Sequence, residues 1–137
     1  MKVPLVDLRA SLAPIKQDLF REFASILDEM ALFLGPNVQA FEREFAAHCD
    51  VEHGVAVSSG TDALTVTLRA LDIGPGDEVI VPSQTFFASI EAIIHCGAIP
   101  VMVDVEEDVL TMDPHKVRMA ITPATKVIMP VHLFGHP

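Results

Sequence analysis

Apolar residues recur at helical spacing over the first part of the chain: Leu12, Ile15, Leu19, Phe23, Ile26, Leu27 and Met30. Lys16, Asp18, Arg21, Glu22, Ser25, Asp28 and Glu29 fall between them, which predicts an amphipathic helix to about Ala31. Ser11 is the expected N-cap, and Pro14 falls in the opening turn, where its missing N–H costs little. Ahead of it, residues 1–10 read as extended, because Pro4 disfavours helix at Val3 and the apolar positions are Val3, Leu5 and Leu8. Gly35-Pro36-Asn37 breaks the helix. A second helix, from about Asn37 to His48, places Val38, Phe41 and Phe45 on one face and turns Glu42, Arg43 and Glu44 outward.

After Cys49 the pattern changes to apolar runs alternating with helical periods. Gly54–Ser58 reads as a strand, and Thr61–Leu71 as a helix with Leu64, Leu68 and Leu71 on one stripe. Gly74-Pro75-Gly76-Asp77 is a turn, and Glu78–Pro82 a buried strand followed by a helix from about Thr85 to His95. Ile99–Val105 is the third expected strand. Asp113-Pro114 has the character of an N-cap and first helical residue, opening a helix to about Ile121, and Lys126–Leu133 is the fourth strand. Strands that are apolar throughout, joined by helical crossovers, predict an α/β fold of three layers, with a mainly parallel sheet covered on both faces. Residues 1–50 form the expected N-terminal extended segment and helices, and 51–137 the first part of the α/β/α domain.

Composition narrows the function. At 137 residues the chain is about one domain, half of it hydrophobic and 20% charged, so a folded core is expected. The formal charge of -10 argues against a nucleic-acid backbone as partner, since such binding needs a basic surface. Cys49 and Cys96 have no CxxC spacing, and His48, His53, His95, His115 and His136 form no ligand pattern, so no metal site is expected. The opening residues lack the apolar run of a signal peptide, and no stretch approaches the roughly 18 apolar residues of a membrane span. The expectation is a soluble, cytoplasmic protein with no membrane partner.

Candidate chemistry gathers at strand ends. Ser58-Ser59-Gly60-Thr61-Asp62 joins a strand to a helix, where orphan N–H groups and the macrodipole favour an anion. Gly60 lets the backbone approach closely, and Ser59 and Thr61 add hydroxyls. The same residues also describe a simple helix cap, and the sequence leaves both readings open. It is neither GxGxxG nor GxxxxGK[ST], so dinucleotide and P-loop sites are disfavoured. Phe86 and Phe87 follow the next strand, at the edge where open α/β sheets bind ligands; either one stacks on a flat ring or both belong to the core. Asp104 and His132 also stand at strand ends, each with a structural alternative.

Several stretches together resemble one family. They are Phe33 to Ala46, Ser59 to Leu64, Gly74 to Ser83, Thr85 to Ser89, Gly97 to Val101, Val103 to Val105 and Pro130 to Gly135. In this order they resemble the DegT/DnrJ/EryC1/StrS family of pyridoxal-phosphate (PLP) aminotransferases of type I fold. The resemblance implies that Gly60, Thr61 and Asp62 hold the PLP phosphate, that Phe86 stacks on the pyridine ring, and that His132 lies near the rim where substrate binds. It implies a nucleotide-linked keto sugar as substrate, an amino donor such as glutamate, and a homodimer or higher oligomer; some relatives are sugar dehydratases. The family's Schiff-base lysine and ring-pairing acid lie downstream of Pro130 to Gly135. Lys2, Lys16, Lys116 and Lys126 offer no buried substitute, so no catalytic residue is assigned and the chain alone is expected not to transaminate. The resemblance also implies missing parallel neighbours in the sheet, hence a truncation product of a longer enzyme or an oligomer that hides its strand edges; a non-catalytic binding module is the alternative of a different class.

Overall fold

The computed structural model describes residues 3–4 and 6–136. The chain forms two compact units, Met1–Ala56 and Val57–Pro137.

The first unit is helical. Helix α1 spans Leu8–Leu12 and α2 spans Lys16–Asp28. The single helix expected from Leu12 is therefore broken at Ala13-Pro14-Ile15. Asp7, not Ser11, caps the start: its carboxylate accepts the Arg9 N–H at 3.0 Å, and Ser11 lies inside α1. Pro14 has no N–H to continue the ladder, so the chain restarts after it. The extended stretch expected over residues 1–10 includes positions 1, 2 and 5, which lie outside the described residues; from Leu8 onward that expectation is overturned. Helix α3 spans Pro36–His48, with Pro36 in its first turn and Ala46 buried. Phe41 and Phe45 stack one turn apart at 5.5 Å between ring centroids.

The strand expected at Gly54–Ser58 is absent from the sheet. Its backbone is held differently: the Ala56 N–H donates to Glu42 Oε1 at 2.8 Å instead of to a neighbouring strand. Gly54 is needed here for close approach, since a Cβ at that position would sit 2.7 Å from the Glu42 carbonyl oxygen.

The second unit is α/β. Helix α4 spans Gly60–Ala70, β1 Glu78–Pro82, α5 Ala88–His95, β2 Ile99–Val103, α6 Pro114–Ala120 and β3 Thr125–Ile128. The sheet order is β2-β1-β3 and every pairing is parallel. The chain steps from β1 outward to β2, then back past β1 to β3. Right-handed crossovers in opposite directions put α5 and α6 on opposite faces, which gives three layers.

The central strand is buried along most of its length, with Val79, Ile80 and Val81 fully inaccessible. Val79 and Val81 pack with Leu68 of α4, Ala92 and Ile93 of α5, and Ile73 and Ala98 from the connecting turns. Two strand ends differ from expectation. The third expected strand stops at Val103, because Val105 leaves the parallel ladder for an antiparallel bridge to Met112. The last strand stops at Ile128; the Met129 N–H still donates to the Ile80 carbonyl at 2.8 Å, and Pro130 then has no N–H to offer.

Candidate functional site

By chain order the candidate residues fall toward the carboxyl ends of the strands. Helix α4 has 11 residues, so it rises about 16 Å, close to the length of a five-residue strand. Its last turn leads through Leu71–Asp77 into the start of β1, and its first turn therefore reaches back toward the strands' carboxyl end. The Phe86 loop follows the end of β1 directly. His132 follows the end of β3.

The helix start is built by its own side chains. Ser59 has extended backbone (φ -159°, ψ 166°), and its Oγ accepts the Asp62 N–H at 3.1 Å. The Ala63 N–H donates to the Ser59 carbonyl at 3.0 Å. Ser58 Oγ donates to the Asp62 carboxylate. Thr65 Oγ1 donates to the Thr61 carbonyl at 3.0 Å. Ser59 is thus a true N-cap, the simpler of the two roles open from sequence.

Capping leaves a remainder. The N–H groups of Gly60 and Thr61, and the Thr61 hydroxyl, have no protein partner among the described residues. A Cβ built on Gly60 would meet nothing within 4 Å, so the space in front of these donors is open. Two backbone donors, one hydroxyl and the positive end of an 11-residue helix form a donor set that fits a phosphate dianion. The Asp62 N–H is already committed to Ser59, so Asp62 contributes to the shape of the turn rather than a free donor.

The Phe86 loop runs from Ser83 to Phe87. Phe86 is 71% exposed and Phe87 64%, so neither ring is core. The exposed ring face of Phe86 is available to a flat ligand. Thr85 Oγ1 and the buried Ser89 Oγ share a hydrogen bond at 2.9 Å, and the Phe86 and Phe87 carbonyls accept the first N–H groups of α5. That local bonding explains why the helix expected from Thr85 begins three residues later. His132 is exposed; its carbonyl accepts the Gly135 N–H at 3.0 Å. Among the described residues no side-chain hydrogen bond ties its imidazole to α4 or to the Phe86 loop.

The bonds made by Ser58, Ser83 and Lys116 were not foreseen from the sequence. Asp104 at the end of β2 accepts from Lys116 Nζ at 3.1 Å and from Ser83 Oγ at 3.3 Å. The hydrogen bond from Lys116, then its positive charge, then the Ser83 hydroxyl hold the Asp104 carboxyl below its ordinary value. Among the described residues no His, Cys, Asp and Glu group has a metal-binding arrangement, and no helix is long and apolar enough to cross a membrane.

Comparison with known proteins narrows the reading. The profile of the DegT/DnrJ/EryC1/StrS aminotransferase family matches residues 14–137. The dTDP-3-amino-3,4,6-trideoxy-alpha-D-glucose transaminase of Streptomyces venezuelae is 49% identical over 136 residues, 99% of this chain and 36% of its own length. The UDP-N-acetyl-3-dehydro-alpha-D-glucosamine 3-aminotransferase of Acidithiobacillus ferrooxidans is 50% identical over 135 residues, 98% of this chain and 37% of its own. Among solved structures, S. venezuelae DesV superposes with a TM-score of 0.94 at 49% identity, covering 99% of this chain and 37% of that one. NtdA of Bacillus subtilis, solved with bound cofactor PMP, superposes at 0.93 and 36% identity, covering 98% and 31%. The chain spans about a third of the length of these relatives.

Proposed function

The chain belongs to the DegT/DnrJ/EryC1/StrS aminotransferase family, and on that premise we propose that it supplies the phosphate-binding part of a PLP-dependent aminotransferase acting on nucleotide-linked keto sugars. The observation that carries the proposal is the pair of unpartnered N–H groups, Gly60 and Thr61, at the open start of α4. In this reading those N–H groups and the Thr61 hydroxyl hold the cofactor phosphate. Ser59 and Asp62 keep the turn in shape, Phe86 covers the ring, and His132 stands at the rim toward substrate. When bound, the cofactor supplies an electrophilic carbonyl and an electron-withdrawing ring through which an amino group passes between donor and keto sugar.

Among the described residues the lysines are not placed to hold that carbonyl. Lys16, Lys116 and Lys126 are exposed, and Lys116 is engaged with Asp104; Lys2 lies outside the described residues. A lysine that carries this chemistry sits in a desolvated setting, which none of these three exposed side chains has. The reading therefore assigns to these residues cofactor binding rather than the proton and amine transfers. Nucleotide-sugar relatives support the substrate class. An amino donor such as glutamate, a homodimer or higher oligomer, and a cytoplasmic setting belong to the same reading.

The test uses pyridoxamine phosphate, which needs no lysine to bind. Its phosphorus resonance should shift on addition of the chain, saturably, and Thr61→Ala should weaken that binding about threefold to tenfold. A resonance that never moves would remove the phosphate site, and equal affinity in both proteins would remove Thr61 from it.

A further inference from the structure

The loop that carries Phe86 is bonded at its two ends and leaves the N–H groups between them free. The N–H groups of Gln84, Thr85, Phe86 and Phe87 have no protein acceptor among the described residues. The position of the loop thus depends on what ties its two ends. At the α5 end the ties are the Thr85–Ser89 hydroxyl pair, with Ser89 only 5% exposed, and the Phe86 and Phe87 carbonyls, which accept the N–H groups of Ser89, Ile90 and Glu91. At the β1 end, Ser83 donates its N–H to the Val103 carbonyl at 2.7 Å and its Oγ to Asp104 Oδ1 at 3.3 Å.

Asp104 is itself held from two directions. Lys116 Nζ of α6 donates to its second carboxylate oxygen at 3.1 Å, and the Asp113 N–H, at the start of α6, donates to its carbonyl at 3.1 Å. One residue thereby joins the ends of β1 and β2 and the first turn of α6. The shared carboxylate favours this geometry, because each oxygen serves one donor and both bonds are charge-assisted.

We propose that Asp104, anchored by Lys116, is a positioning residue that sets the Phe86 loop through Ser83. Its functional consequence rests on the reading of Phe86 as the ring contact; its structural consequence does not. Asp104 touches no ligand in this scheme. Without its carboxylate, Ser83 keeps only its backbone bond to Val103, and the four unbonded amides that follow lose one of their two anchors on the strand side. Phe86 then samples more orientations, and a ligand ring must order it on binding.

The test compares the full chain with its Asp104→Ala, Asp104→Asn and Lys116→Met variants by two readouts. The first is backbone order at Gln84, Thr85 and Phe86 from ¹⁵N relaxation. Asp104→Ala should lower the order parameters toward the ~0.6 of flexible backbone, Lys116→Met should lower them less, and Asp104→Asn, which keeps an acceptor oxygen for Ser83, should restore them in part. Unchanged order in Asp104→Ala overturns the proposal whatever happens with ligands.

The second readout is affinity. Asp104→Ala should weaken pyridoxamine phosphate about threefold to tenfold while leaving inorganic phosphate unchanged, and it should have no further effect in a Phe86→Ala background. Equal losses for both ligands, or full additivity with Phe86→Ala, would show that Asp104 does not act through the ring contact. If the wild-type chain binds no pyridoxamine phosphate, the cofactor reading fails, and loop order alone decides whether Asp104 sets the loop.

Discussion

Replacing Ser59 with alanine separates the two jobs of the turn that begins α4. The perturbation removes one acceptor, the Oγ that takes the Asp62 N–H at 3.1 Å, and leaves the Ser59 carbonyl to Ala63 intact. Loss of a serine N-cap costs about 1 kcal/mol, within a range of roughly 0.5–2, whereas glycine at the same position costs only a few tenths. For a unit the size of Val57–Pro137, 1 kcal/mol moves the melting temperature by about 4–8 °C. The assay is thermal unfolding followed by far-UV circular dichroism, for wild type, Ser59→Ala and Ser59→Gly, each with and without excess pyridoxamine phosphate. The expected order of Tm without ligand is wild type, then Ser59→Gly, then Ser59→Ala. Ligand at a hundred times its Kd should add about 2.7 kcal/mol to the folded state. That increment should persist in both variants, because the free donors belong to Gly60 and Thr61. Ser59→Ala melting within about 1 °C of wild type would refute the capping account. Loss of the ligand increment with an unchanged melt would make Ser59 a direct ligand contact instead.

Other consequences follow from packing and charge. Leu68 is 2% exposed among Val79, Val81, Ala92 and Ile93, so Leu68→Ala should cost about 2–5 kcal/mol by urea denaturation. Gly97 has φ +77° and a built Cβ would lie 3.2 Å from Pro75 Cγ. Gly97→Ala should therefore cost at least ~1–2 kcal/mol, with the turn before β2 as the site of damage, whereas Gly60→Ala should show no steric penalty. The Asp104 carboxyl is held below its ordinary value of 3.8 by Lys116, so that pairing stabilises the fold fully above that pH and is lost as pH falls through the lowered folded value. Urea midpoints of wild type and Lys116→Met should differ above about pH 4 and converge toward pH 2; a difference that grew on acidification would reverse the sign of the argument.

Much of the fold was legible because local signals agreed with the final packing. The apolar run Glu78–Pro82 became the buried central strand. Asp113-Pro114 became an N-cap and first helical residue, with Asp113 accepting from the His115 and Lys116 N–H groups. Gly54–Ser58 has the composition of a strand and failed to become one. A strand is defined by its neighbour, and the Ala56 N–H found a carboxylate instead. Pro14 was placed in a first helical turn but falls in the break between two helices, because Asp7 captures the chain earlier than Ser11 can.

The geometry of the candidate site was legible where it is local and obscure where it is not. Ser59, Gly60 and Thr61 lie next to one another, so their turn could be read directly. The bonds from Ser83 and Lys116 to Asp104 span 21 and 12 residues, and no spacing rule connects them. Phe86 and Phe87 are equivalent in sequence; their exposure shows that neither is core.

The central claim is that a cofactor phosphate rests on the first turn of α4. Its most direct test is a crystal structure of the chain soaked with pyridoxamine phosphate. The account predicts phosphate oxygens within about 2.7–3.2 Å of the Gly60 and Thr61 nitrogens, and the pyridine ring against Phe86. A phosphate bound elsewhere, with the two N–H groups facing only water at saturating ligand, would contradict it.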